Sequence, residues 1–427
     1  MEIENLHKCF LECDSISIDT RKIKEKCMFI AIKGNNFDAN TFAKEALEKG
    51  ASYVIIDNKD YFINTKTILV EDSLKTLQEL AKFNRNFLKT TIIALTGSNG
   101  KTTTKELINA VLSKKYKTTA TIGNLNNHIG VPLTLLSFTK DTEIGIVEMG
   151  ANHQKEIEFL CQIALPDYGY ITNFGKAHLE GFGGVEGVIK GKSEMYDYLE
   201  LNNKTVFVNL EDTIQVEKTK YLKKISFGIN KQESDLNITS VKANPFVEIK
   251  FDNIKIKSNL IGLYNSNNIN AAVLIGKKFN VSDIDIKNGI ENYIPENNRS
   301  QLINKENNKI ILDAYNANPS SMKVAVENFQ QLDGENKLMI LGDMFELGKE
   351  SLVEHKIIVD NLTNQTQCIC YFVGNDFYKN EIIDDHLKFF KTFEILSEFI
   401  KKQKPKNSFI LIKGSRGMAL ERILDLI

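Results

Sequence analysis

One stretch limits what this chain can fold into more than any other: Thr91-Ile92-Ile93-Ala94-Leu95-Thr96-Gly97-Ser98-Asn99-Gly100-Lys101-Thr102-Thr103-Thr104. Ile92, Ile93 and Leu95 make a short apolar, partly β-branched run of strand type. Gly97 and Gly100 then permit a tight turn whose backbone N–H groups point inward. Lys101 adds a point cation, and Thr102 adds a hydroxyl able to reach Mg²⁺. Leu107, Ile108, Val111 and Leu112 fall on one face of the helix that follows. Strand, glycine turn and helix start together form an anion cradle, with the helix N-terminus facing the phosphates. The pattern is not the full G-x-x-x-x-G-K-[ST], because Leu95 stands where its first glycine would. It is the shorter T-G-x-x-G-K-T, with Leu95 belonging to the strand.

Around this stretch the chain alternates strand-like and helix-like segments, which predicts an α/β protein. At ~150 residues per domain, 427 residues suggest about three domains. Residues 1–88 read as a small N-terminal α/β substrate domain, with strands at 28–32 and 53–56 and a helix at 42–49. Residues 89–295 read as a central parallel-sheet domain opened by the phosphate loop, with strands at 144–148, 168–172 and 205–209. It carries a β-rich insert over 236–260 and a helix over 266–278. Pro295-Glu296-Asn297-Asn298-Arg299 reads as a linker. Residues 296–427 read as a second doubly wound, Rossmann-like domain, with strands at 310–313, 337–341, 370–374 and 409–414.

The formal net charge is −1, so the composition gives no sign of bulk nucleic-acid or anionic-membrane binding. Six scattered cysteines lack zinc-knuckle spacing and are expected to be reduced thiols. No apolar run approaches the ~20 residues of a membrane span. The N-terminus lacks a basic and an apolar signal region, so a cytoplasmic protein is expected.

Parallel sheets hold ligands beyond the carboxyl ends of their strands. Glu148 and Asn173 fall at such ends, and Glu148 is the best hard-oxygen partner for a Mg²⁺. The other polar candidates have two readings each. Asp19-Thr20-Arg21 can hold a phosphate or carboxylate, or be a solvated surface group. Asn124, Asn126, Asn127 and His128 can bond a polar substrate or build Asx turns. His178 is a ligand candidate, though a lone His is more often a structural hydrogen bonder. Lys192, after Phe182-Gly183-Gly184, reads by default as a solvated helix residue. In the last domain, Asp313-Ala314-Tyr315-Asn316-Ala317-Asn318-Pro319 and Lys413-Gly414-Ser415-Arg416-Gly417 are both candidates for a second anion site.

Taken together, these motifs resemble the Mur ligase family over nearly the whole chain. The phosphate loop Thr96–Thr103 carries part of the resemblance. Gly123–Pro132, Glu148-Met149-Gly150-Ala151 and Ile171–Glu180 carry more. Asp313–Met322, Leu341–Gly348 and Lys413–Arg416 are most similar to the member that joins D-alanyl-D-alanine to UDP-N-acetylmuramoyl-tripeptide in peptidoglycan synthesis. The resemblance implies an ATP-dependent ligase acting through an acyl phosphate, with Mg²⁺ as cofactor and a monomeric state. It implies that Gly97, Ser98, Asn99, Gly100, Lys101, Thr102 and Thr103 grip the ATP phosphates. Asn268 would meet adenine, Arg299 would reach the phosphates, Asp313 would hold ribose, and Asn316 and Asn318 would lie near the phosphates. Thr102 and Glu148 would hold one Mg²⁺. His178 and a CO₂-carbamylated Lys192 would hold a second, which makes Lys101, Glu148, His178 and Lys192 the catalytic set. Asp19, Thr20 and Arg21 would face the UDP end. Asn124, Asn126 and Asn127 would meet the substrate; Lys413, Ser415 and Arg416 would meet the incoming dipeptide. Two positions depart from the family pattern: Tyr264 replaces a usual His, and Asn298 a usual Gly before Arg299.

Overall fold

The structure, a computed structural model, describes residues 2–296, 298–363 and 368–427. Asn297 of the predicted linker lies outside the described residues. Three parallel-stranded sheets follow one another along the chain. The first runs in the order Ser15–Ser17, Cys27–Ile30, Ala51–Ile56 and Thr67–Leu69, all parallel. The predicted helix at 42–49 is a 3₁₀ turn, Ala39–Phe42, running into Ala43–Glu48.

The second sheet has nine strands, and the strand that leads into the phosphate loop is third from one edge. Thr91–Thr96 pairs with Tyr168–Ile171 on one side and Ile144–Glu148 on the other. The strand order reverses at this point, so a crevice opens beyond the strand ends. Helices cover both faces, which is why Ile92, Ile93, Ala94 and Leu95 are all fully buried. Ile92 and Ala94 pack with Val131, Leu135 and Leu160. Ile93 and Leu95 pack on the opposite side with Leu107, Ile108 and Ile269.

The predicted β-rich insert is part of this same sheet. Leu236–Ala243 pairs parallel with Lys224–Ile229, and Phe246–Phe251 and Ile254–Ile261 then continue antiparallel to the edge. The alternation of Val247, Ile249 and Phe251 buries one face against the helix Ser266–Lys278, and Phe246, Glu248 and Lys250 form the more open one.

The third sheet runs in the order Gln301–Lys305, Asn308–Asp313, Phe409–Lys413, Leu338–Gly342, Ile369–Val373 and Leu387–Phe390. Only the first pairing is antiparallel. Asp313 and Lys413 are register partners at the ends of adjacent strands. No helix among the described residues is long and apolar enough to cross a membrane, and Cys9, Cys13, Cys27, Cys161 and Cys370 are free thiols.

Candidate active site

The phosphate loop leaves its strand through Gly97 at φ 138° and enters its helix through Gly100 at φ 79°. Both lie where side chains are strained. Crowding excludes side chains too: a Cβ would stand 2.0 Å from Thr172 Oγ1 at Gly97 and 2.6 Å from Asn268 Oδ1 at Gly100. The loop is also tied down from outside. Ser98 Oγ donates to Gly175 O at 2.6 Å, and Asn99 O accepts from Thr172 Oγ1 at 2.6 Å and Asn173 Nδ2 at 2.9 Å. Lys101 Nζ folds back onto Gly97 O at 2.6 Å. Burial pushes its pKa down; Glu148 opposes this and Arg299 adds to it. Asn268 supports the loop from beneath, accepting from Thr104 Oγ1 at 3.0 Å and donating to Asn265 Oδ1 at 2.8 Å. One N–H and one lone pair of its amide remain for a ligand.

Across the switch point lies a set of hard oxygen donors. Glu148, 2% exposed, accepts from Thr102 Oγ1 at 2.9 Å and from Asn126 Nδ2 at 2.8 Å. Thr121 Oγ1 holds the Glu148 backbone N–H at 3.0 Å. The asparagine cluster therefore divides its work. Asn126 orients the carboxylate, whereas Asn127 Oδ1 caps the next helix through the N–H groups of Ile129 and Gly130 at 3.1 and 2.9 Å. Among the described residues, no three His, Cys, Asp or Glu side chains form a metal cage. One carboxylate and one hydroxyl still fit Mg²⁺, which keeps waters and is completed by substrate phosphates.

His178 sits at φ 52° beside the loop and forms an ion pair with Glu346, which arrives from the C-terminal sheet. Burial lowers the His178 pKa, Glu346 opposes, and Lys101 and Lys192 add to the lowering. Lys192 overturns its default reading as a solvated residue: it is 1% exposed. Its Nζ donates to Ala151 O at 3.2 Å and lies 4.9 Å from the Phe182 ring centre. Its pKa falls well below the usual value, first through burial and then through Lys101.

The far wall comes from the C-terminal sheet. Asp313 Oδ2 accepts from Lys413 Nζ at 2.6 Å, and Lys413 also reaches Asn316 O at 3.3 Å. The Arg299 guanidinium stacks 3.7 Å from the Tyr315 ring centre. Asn318 caps the helix Pro319–Gln331 and donates to Asn99 Oδ1 at 2.7 Å, so the two walls touch at the phosphate loop. Lys176 adds an ion pair to Glu354 at 2.5 Å.

These walls enclose a cavity of about 950 Å³. Ser98 to Thr103, Asn124, Asn126, Asn127, Glu148, His178, Asn268, Arg299, Asp313, Asn316, Asn318 and Lys413 all line it. Gly97, at the strand end of the loop, is not part of the lining, and four further groups of predicted residues stand off it. Asp19, Thr20 and Arg21 lie on the N-terminal sheet, where Asp19 holds Arg21 through Nε and Nη2, both at 2.9 Å. Those bonds to Arg21 lower the Asp19 pKa to about 2. Ser415 is buried and braces Phe345 N at 2.9 Å and Ala317 O at 3.3 Å. Arg416 bonds the Tyr315 hydroxyl at 3.2 Å from outside. Lys192 lies behind the lining, under Phe182. Glu346 and Asp212, not among the expected site residues, line the cavity, and so does Tyr264, expected only as a departure from the family pattern. The quoted segment Leu341–Gly348 contains Glu346, so a carboxylate in a glycine-flanked loop was the available signal.

Three family models match the chain in order. "Mur ligase family, catalytic domain" matches residues 12–85, "Mur ligase middle domain" residues 95–276, and "Mur ligase, glutamate ligase domain" residues 298–416. The UDP-N-acetylmuramoyl-tripeptide–D-alanyl-D-alanine ligase of Bacillus subtilis is 34% identical, over 96% of this chain and 93% of its own. The crystal structure of MurF from Acinetobacter baumannii superposes with a TM-score of 0.86 at 30% identity, covering 99% of this chain and 98% of that one. The MurF ligase of Thermotoga maritima in complex with ADP superposes with a TM-score of 0.82 at 27% identity, covering 98% and 97%.

Proposed function

The chain belongs to the Mur ligase family, and from that premise we propose how its residues divide the work of an ATP-dependent ligase joining D-alanyl-D-alanine to UDP-N-acetylmuramoyl-tripeptide. The observation that carries the reading is the pairing across one cavity. The phosphate loop, Thr102 and Glu148 form one wall, and the Arg299–Asp313–Lys413 set forms the other.

The reaction runs in two stages. The tripeptide's terminal carboxylate takes the γ-phosphoryl group of ATP, giving an acyl phosphate and ADP. The dipeptide amine attacks that acyl carbon, and phosphate leaves as the amide forms. Phosphoryl transfer asks the protein mainly for positioning and for charge complementarity. The loop N–H groups and Lys101 supply the donors, and Lys101 exchanges its own loop carbonyls for phosphate oxygens when ATP enters. Thr102 and Glu148 would hold Mg²⁺, which would supply positive charge to the phosphate oxygens. Asn126 keeps Glu148 turned toward that position. Arg299, stacked on Tyr315, lends a cation to the phosphates. Asp313 accepts from the ribose while Lys413 neutralises it. The Asn99–Asn318 and His178–Glu346 contacts hold the walls together and keep water from the labile acyl phosphate.

Lys192 fits carbamylation. Burial and the Lys101 charge shift Lys192 toward the neutral amine, whose lone pair is free for CO₂ and which loses one proton as the N–C bond forms. The product is an oxygen donor suited to a second Mg²⁺ beside His178. Asp19, Thr20 and Arg21 take the UDP end on the separate N-terminal sheet, with Arg21 86% exposed and available to an anion. Arg416 stands at the dipeptide entrance.

The test is ADP release with UDP-tripeptide and a panel of amine acceptors. Release with D-alanyl-D-alanine and none with single amino acids is the expected result. Release with a single amino acid and none with the dipeptide refutes the acceptor assignment, and no release with any acceptor refutes ligase activity.

A further inference from the structure

Arg299 occupies an unusual stretch of backbone. The residues on either side, Asn298 and Ser300, both take left-handed conformations, at φ 57° and 49°. Each such residue is disfavoured, Ser more than Asn, so outside contacts must hold the turn. Three backbone and side-chain contacts do so. Asn298 O accepts from Tyr315 N at 3.2 Å, Ser300 N donates to Asp313 Oδ1 at 3.1 Å, and Ser300 Oγ bonds the Tyr264 hydroxyl at 3.0 Å. The first two come from the C-terminal sheet. Tyr264 is different, because it lies in the 3₁₀ turn Leu263–Asn265 that opens the helix Ser266–Lys278 of the central sheet.

The Tyr264 ring is placed deliberately. Gly262 sits at φ 90°, and a Cβ there would stand 2.3 Å from Tyr264 Cε1. The ring thus lies across bare backbone and reaches Ser300 over the cavity wall. A hydrogen-bonded line results: Tyr264 hydroxyl, Ser300, Asp313, Lys413. It begins on the wall that carries the phosphate loop and ends on the wall that carries Asp313.

We propose that Tyr264 is a positioning residue for the nucleotide, whose hydroxyl clamps Ser300 and so sets Arg299 and Asp313 at the nucleotide end of the cavity. This rests on the reading above that Arg299 and Asp313 contact ATP. The clamp acts before the dipeptide arrives, so its loss changes nucleotide binding and leaves acceptor recognition alone.

The test uses the full chain. Ser300→Gly removes the hydroxyl while making the left-handed backbone free of strain, which separates the hydrogen bond from the turn. One neutral hydrogen bond corresponds to about three- to tenfold in affinity. Tyr264→Phe is expected to weaken calorimetric Mg-ADP binding and to raise KM for ATP by that factor. KM for the dipeptide and kcat at saturating ATP stay unchanged. Ser300→Gly gives the same loss, and the double variant no more than either single one. Amide exchange at Ser300 speeds up in Tyr264→Phe, a readout that needs no ligand. Native ADP affinity in Tyr264→Phe, or additive losses in the double variant, overturns the clamp. Asp313→Asn separates the two claims. If it weakens ADP binding while Tyr264→Phe does not, only the clamp fails; if it leaves ADP binding unchanged, the nucleotide reading of this wall fails.

Discussion

Lys192→Met should make the protein more stable and inactive at once. The Lys192 amine is 1% exposed and, among the described residues, has a single acceptor, Ala151 O at 3.2 Å. The nearby carboxylates are spent elsewhere. Glu194 accepts from the backbone N–H groups of Lys155 and Glu158 at 2.5 and 3.0 Å, and Glu156 from those of Asn152 and His153 at 2.6 and 3.0 Å. Lys101 adds like-charge repulsion. Burying a polar group with incomplete partners costs about 1–3 kcal/mol, against about 1 kcal/mol returned by one hydrogen bond. Met matches the length of the side chain and removes the amine. A net gain of up to about 2 kcal/mol follows, or up to roughly 8 °C in the transition of the unit that contains it.

The pH dependence has a definite sign. Below the ordinary lysine value of 10.5, the unfolded chain takes up a proton that the folded protein leaves off. The native protein therefore loses stability as pH falls from about 10, and the advantage of Lys192→Met grows over the same range. The assay is thermal unfolding at pH 7 to 10 in CO₂-depleted buffer, so that no carbamate contributes. Ligation should drop by more than ~100-fold, as expected when a metal-side donor is lost. Lys192→Ala, which leaves room for a small acid, should recover part of the activity with formate or acetate. A lower transition temperature for Lys192→Met at pH 7 would mean that the amine is charged and paired, and the reasoning would fail. Full activity of Lys192→Ala without added acid would remove the carbamate.

Two further changes follow from buried contacts. Asn126→Ala removes the 2.8 Å bond that orients Glu148 and should raise the Mg²⁺ concentration for half-maximal ADP release by about 10–100-fold; an unchanged Mg²⁺ titration would deny Asn126 that role. Arg85→Met removes bonds to Ala164 O, Leu165 O and Asp167 Oδ2 at 3.3, 3.1 and 2.9 Å, which tie the helix Ser73–Leu88 to the central sheet. The loss should be about 3 kcal/mol in urea unfolding, at the low end for a broken buried pair because Lys204 still holds Asp167 at 2.8 Å; a change below about 1 kcal/mol would contradict it.

What could be read in the sequence was what depends on neighbours along the chain. The phosphate loop was legible because two glycines, a lysine and a strand-to-helix transition are local demands of one geometry. Glu148 was legible because strand ends are where parallel sheets present ligands. Lys192 was not, because its burial depends on the loop that holds Ala151 and on the Phe182 ring, neither of which its own helical periodicity reports. The segment 236–260 was legible as strands, but its place at the edge of the main sheet depends on pairing with Lys224–Ile229. The Asp313–Lys413 pair required the strand order. Once Asn308–Asp313 and Phe409–Lys413 are neighbours in register, a carboxylate and an ammonium at the two ends must meet or be separated at a cost. Sequence alone assigned those two residues to different substrates, yet a 2.6 Å contact makes them one unit. Any ligand that takes one of them must therefore rearrange the other. The same logic holds for Asn99, whose backbone fixes the loop while its side chain meets the cap of the helix Pro319–Gln331. Asn99 thus contributes both to the geometry of the phosphate loop and to the approach of the opposite wall.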